Sequence, residues 1–234
     1  MEIITTKAGI EMLLRWGHFL AGITWIGLLY YFNFVQGEFM KEAEASTKSE
    51  VLRKLAPRAL WWFRWGAMFT FLTGVAIMGL RGGGMSIDIY VGALLGTLMF
   101  LNVWLIIWPN QKIVIASAEQ VAGGGEPLPE AADALAAAGV ASRSNVMFSV
   151  PMLFFMGASG HFPHGSFAIL PFLVVLAIVL VLEYNAAYKC LSRYPVLNKL
   201  PAGGKLGPLA SVGGVIHCGL ALAVILFLVL EFLT

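Results

Sequence analysis

Charge is what this chain most lacks: 12% of its 234 residues are charged, against 59% hydrophobic. The mean hydropathy is +0.82. A soluble domain of this length cannot hide so much apolar side chain, so the chain reads as an integral membrane protein. Cysteine is nearly absent as well. The two present, Cys190 and Cys218, have no CxxC or CxxCH spacing, which argues against covalently attached haem, a thiolate zinc site or a disulfide framework. No basic stretch leads into a short apolar run and a small-residue cleavage site, so the first apolar segment reads as a retained span. The net charge of +2 says little about partners, and nothing points to nucleic acid. Histidine is scarce too, with only His18, His161, His164 and His217.

What is present is a series of long apolar runs. Six can cross ~30 Å of hydrocarbon at ~1.5 Å per residue. They fall near 10–36, 59–80, 88–108, 144–160, 167–191 and 208–233. The expected fold is therefore all-α, a polytopic transmembrane bundle of about six spans in a single domain over residues 1–234. Pro151 interrupts the short fourth run. Between the third and fourth, residues 110–143 read as a cytoplasmic loop, a glycine-rich turn followed by a short surface helix.

The connections differ in charge. Those after runs one, three and five carry Lys41, Lys48, Arg53, Lys54, Arg58, Lys112, Arg143, Lys189, Arg193, Lys199 and Lys205. The other side has only Lys7, Arg15 and Arg81. The positive-inside rule makes the basic side cytoplasmic and both termini periplasmic, with a bacterial inner membrane as the setting. Tyr30, Tyr31, Trp61, Trp62, Trp65, Trp104 and Trp108 are expected at that cytoplasmic boundary.

His18 and His217 lie inside apolar runs, where an ionisable group reads as functional by default. His18 is about eight residues below one face and His217 about nine above the other, or ~12 and ~13 Å at helical rise. The two depths permit a shared site. Gly22 stands one turn from His18, and Gly213 and Gly214 one turn before His217. Small residues beside a histidine suit a flat macrocycle, and they also suit plain close approach of helices, as Gly92 and Gly96 do. Ligation of haem and a hydrogen bond to a neighbouring helix are both open to these imidazoles. Arg15, one turn from His18, suits a haem propionate, or simply snorkels to the interface. His161 and His164 form a loop pair that could take a metal or a second haem, or remain solvated. Glu183 reads as an interfacial carboxylate or part of a proton path, and Asn33 and Asn102 as interhelical hydrogen bonders.

Three blocks carry a family resemblance. Arg15-Trp16-x-His18-x-x-x-Gly22-Ile23-x-Trp25-Ile26-Gly27-x-x-Tyr30-x-Phe32 resembles the opening of the membrane domain of PuuD-type urate oxidases. Leu60-Trp61-Trp62-Phe63-Arg64-Trp65-Gly66-Ala67 with Leu72-Thr73-Gly74 is similar to its second motif. Ser144 to Met156 with Gly160-His161-Phe162-Pro163 is similar to its third, which ends in Asn-His-Tyr-Pro, so Gly160 stands where that motif has asparagine. The first block also resembles the wider group of CopD-like proteins and HemJ-type protoporphyrinogen oxidases, in which membrane histidines are associated with haem b. The resemblance implies His18 and His161 as site residues, with haem b held non-covalently. It also implies electron transfer to a c-type cytochrome or respiratory-chain subunit on a separate chain.

The expectation is thus a haem b electron carrier in the lipid bilayer, with His18 as the first iron ligand, His217 as its partner and His161 as the alternative partner. Arg15, Gly22, Gly213 and Gly214 would line the cofactor. Direct oxidation of urate or a porphyrinogen is the alternative. A haem-free CopD-like copper or transport protein using histidine and methionine is a third, with Met147, Met152 and Met156 serving equally well as packing.

Overall fold

A computed structural model describes residues 2–192 and 202–234. Arg193 and Lys199 of the fifth connection lie outside the described residues. The described chain forms seven helices: α1 (Glu2–Thr5), α2 (Lys7–Glu42), α3 (Ala45–Arg81), α4 (Ile87–Ala122), α5 (Ala131–His161), α6 (Ile169–Leu191) and α7 (Val212–Leu233). A 3₁₀ turn, Gly207–Ala210, leads into α7. Thr6 caps α2 by accepting from the Gly9 N–H at 3.1 Å, and Ser211 caps α7 through Gly214 at 3.0 Å. Gly82, at φ 69°, ends α3 in a conformation that side chains rarely adopt.

Five of these helices, α2, α3, α4, α6 and α7, are long and apolar enough to cross a membrane. α5 is the sixth, and it is the centre of the bundle, packed against α4, α7 and α6 and touching α2. Its modest apolarity has a physical cause. Arg143, Ser144, Asn145 and Ser149 are buried against protein rather than lipid, so the helix does not need an apolar perimeter. The anticipated break at Pro151 does not occur, and α5 runs through it. Proline removes the hydrogen bond to the carbonyl four residues back, that of Met147. Gly219 of α7 comes up to that carbonyl: a Cβ there would lie 3.1 Å from Met147 O and 2.7 Å from Val150 Cγ2. The freed carbonyl thus coincides with the place where α7 packs closest.

The expected cytoplasmic loop over 110–143 also needs correction. α4 continues to Ala122, only residues 123–130 form the turn, and the alanine-rich stretch is the first part of α5. Ala134, Ala137, Ala138 and Ala141 are buried, so the small side chains serve close packing rather than a surface helix.

α2 and α4 each have 36 residues, about 54 Å at helical rise, so both outrun a ~30 Å core. Tyr30 and Tyr31 are therefore inside α2 and not at its end. Three π-helical stretches, Tyr31–Gln36, Val51–Leu55 and Asn102–Ile107, widen α2, α3 and α4. Such turns shift the helix face and are frequent at functional sites. The helices alternate in direction. One face carries both chain ends and the turns 82–86 and 162–168, and is called here the terminal face. The opposite, basic face carries the turns after α2 and α4.

Candidate functional site

His18 is held between α2 and α3, which pack closely on one another. Its Nδ1 is 3.0 Å from Thr73 Oγ1. The Thr73 hydroxyl donates to the Phe69 carbonyl at 2.6 Å, so its oxygen is left to accept. Hydrogen-bond accounting then puts the imidazole hydrogen on Nδ1, and the lone pair of the neutral ring falls on Nε2. That is the form in which histidine ligates a metal, its other nitrogen fixed by a neighbour.

Small residues make this contact possible. A Cβ at Gly74 would come 3.2 Å from His18 Cε1, and one at Gly66 would come 3.1 Å from the Trp25 nitrogen. Gly22, expected to line the cofactor, meets only Thr70 at 3.9 Å. The glycines that let the helices meet are on the partner helix α3. Trp16, Phe19, Ile23, Phe69 and Leu72 leave an exposed apolar wall around the pair. At the terminal end Glu11 accepts from Arg15 at 2.9 Å and from Arg81 at 2.8 Å. Two guanidinium groups share one carboxylate, which leaves one net positive charge beside the His18 level.

The other candidates lie elsewhere. His217 is exposed on α7 and its Nδ1–H donates to the Gly213 carbonyl at 2.7 Å, which again leaves Nε2 with the lone pair. Gly213 faces open space, whereas a Cβ at Gly214 would collide with the Pro208 carbonyl. The smallness of Gly214 is used by the turn before α7. His161 is exposed at the end of α5. His18, His161 and His217 thus sit on three helices, with α2 and α7 each packed on α5 rather than on one another. No hydrogen bond, ion pair or ring contact joins any two of them among the described residues.

His164 is the engaged member of the loop pair. Its side chain is 2% exposed, and Asp88, at the start of α4, is fully buried. Asp88 accepts from the His164 ring Nδ1 at 2.7 Å and from its backbone N–H at 2.9 Å. Nε2 faces Glu231 of α7 at 3.7 Å, beyond hydrogen-bonding range, and Phe227 packs edge-on at 4.8 Å. The Ile87 N–H to the Gly165 carbonyl, at 3.1 Å, fastens the same loop to α4. The sequence carried a signal for this: Asp88 is an acid opening an apolar run.

A third polar group lies in the interior. Asn102, in the π-helical stretch of α4, donates to Asn145 Oδ1 at 2.9 Å and to Glu183 Oε2 at 3.1 Å. Asn145 donates to the Met99 carbonyl at 3.0 Å. Asn33 donates to Ser142 at 2.8 Å, so both asparagines do bond between helices as expected. Met156 packs on Gly92, and Met147 and Met152 are buried in the core. Arg64 stacks over Trp108 at 3.9 Å. At the basic face Lys189 donates to Asp133 at 2.7 Å and holds that carboxyl below its usual range. Among the described residues no three His, Cys, Asp or Glu side chains converge as a metal site would require.

The architecture defines a multi-pass helical membrane protein that carries one imidazole, with its lone pair on Nε2, inside a helix pair. Residues 83–192 match the family described as urate oxidase N-terminal. The match spans α4 to α6 and contains the third of the three motifs; the first two precede it. No curated protein and no solved structure matches the chain.

Proposed function

We propose that this chain is a membrane haem b protein related to the urate oxidase membrane domain, passing electrons to a separate c-type cytochrome or respiratory-chain subunit. The observation that carries the reading is the His18–Thr73 hydrogen bond, which fixes the ring and leaves Nε2 as a ligand atom. The surroundings fit the group. The wall about the helix pair is apolar, and the arginine pair on Glu11 has charge to spare for a propionate. His18 would hold the iron and Arg15 a propionate, and haem b, when bound, supplies one-electron redox chemistry. What the chain contributes is orientation of His18 by Thr73, room for its ring at Gly74, and exclusion of water by the aromatic wall. His217 or His161 would serve as a second ligand only from another helix or another copy.

The setting proposed is the bacterial inner membrane with both termini periplasmic, which rests on the basic connections. Cytoplasmic activity of a reporter fused at Thr234 would reverse that orientation. The family match supports one further reading, direct oxidation of urate or a porphyrinogen, and urate-dependent change of the visible spectrum would distinguish it.

The test of haem binding is an oxidised-minus-reduced spectrum of the purified protein with pyridine haemochrome quantitation. One b-type haem per chain, lost or converted to high spin in His18→Ala, is the expected result. His217→Ala and His161→Ala then identify any second ligand. Protein made with haem supplied that contains none overturns the proposal.

A further inference from the structure

We infer that Glu183, with Asn102 and Asn145, forms a proton-binding site inside the membrane, reached by water from the basic face along α5. Glu183 is eight residues from the end of α6 at Leu191, about 12 Å at helical rise, so it lies within the hydrocarbon depth. An ionisable group at that depth is costly unless it is neutral or well partnered. Asn102 donates to Oε2, and no ion pair reaches the carboxyl among the described residues. The charged and titratable groups on the surrounding helices are held elsewhere. Arg143 lies 3.6 Å from Glu38, Lys189 is bonded to Asp133, Lys112 is over Trp108 and His217 is on its own backbone. Tyr184 and Tyr188 meet edge to face, and Cys218 packs into the core. Lys205 meets Asn185 through its backbone, and with no ion pair at Glu183 among the described residues the group compensating a carboxylate there is a proton on its second oxygen.

The route is marked by polar atoms that are buried and lack a hydrogen-bond partner: Gln36 Oε1, Arg143 Nη1, Ser144 Oγ and Trp104 Nε1. Arg143 and Ser144 directly precede Asn145 on α5, and Arg143 faces Glu38 at 3.6 Å at the basic face. Buried polar groups in native proteins are satisfied, and where protein offers no partner, ordered water does so. The seam is therefore hydrated. A proton arriving from that water forms an O–H bond at the Glu183 carboxylate and leaves by the same path, with no change of oxidation state.

Infrared difference spectroscopy of the protein in lipid nanodiscs, titrated with pH, reads the site without haem, so its outcome is independent of the cofactor reading. A protonated-carboxyl band that titrates, is lost in Glu183→Gln and moves in Glu183→Asp is the expected result. Transfer of wild type to D2O should shift the band at once, because the seam carries water; this measurement needs no variant to fold. Absence of the band at every pH, or a band that survives Glu183→Gln in folded protein, overturns the site. A band that does not exchange in D2O overturns the hydrated route.

Discussion

The α2–α3 pair and the body built from α4 to α7 use polar groups in opposite ways. In the pair, one imidazole meets one hydroxyl, glycines clear the space, and large apolar side chains remain outside. In the body, polar side chains bond to one another between elements: Asp88 with His164, Asn102 with Asn145 and Glu183. A histidine whose ring is fixed by a hydroxyl and whose Nε2 lies beside an open apolar wall suits binding. A histidine clasped twice by a buried carboxylate suits holding the fold. The family match falls on the body, so what relates the chain to urate oxidase membrane domains over 83–192 is the scaffold, while His18 lies before the matched segment.

The sharpest way to break this comparison is to remove each histidine and read both cofactor and stability. His18→Ala should abolish bound haem while changing unfolding little, since it deletes one half-buried hydrogen bond worth about 1 kcal/mol. Asp88→Ala should do the reverse. It leaves the His164 ring and backbone N–H unpaired in a site that is 2% exposed, at a cost of roughly 3–5 kcal/mol. Thermal unfolding in detergent, alongside haem content, checks both. Equal loss of stability in the two variants would erase the distinction.

The contact between α5 and α7 is next in size. Gly219→Val places methyl groups where even a Cβ would lie 2.7 Å from Val150 Cγ2, on a helix that cannot bend away without uncovering the Met147 carbonyl. Overpacking of this kind costs about 1–3 kcal/mol. The expected result is a lowered midpoint with haem content retained, and a midpoint equal to wild type would show that α7 is free to slide on α5.

The sequence made the class and the spans legible because hydropathy reports contact with lipid. It under-reports α5 for the same reason: Ser144, Asn145 and Ser149 face protein, so the most buried helix looks like the weakest span. The π-helical stretches were not readable, since one extra residue per turn leaves no mark on composition. At the site, His18 was legible from its depth. His164 was not, because its partner Asp88 is 76 positions away and only the fold brings the two together. His18 and His217, matched in depth, stand on α2 and α7, which both pack on α5, a matter of packing that a single sequence does not encode.

The smallest effect belongs to the Asp133–Lys189 pair, which joins the start of α5 to the end of α6 at the basic face. Lys189 lowers the Asp133 carboxyl below its ordinary value near 4. A carboxylate depressed in the folded state adds stability above its unfolded pKa and loses it as pH falls through the lower folded value. Asp133→Asn should therefore narrow the stability difference between about pH 5 and pH 2 while leaving the ranking at neutral pH almost unchanged. Asp133 is 86% exposed, so added salt should remove most of what the pair provides. A pH response as large as that of Asp88→Ala would mean that the body is fastened from its surface rather than from its buried polar contacts.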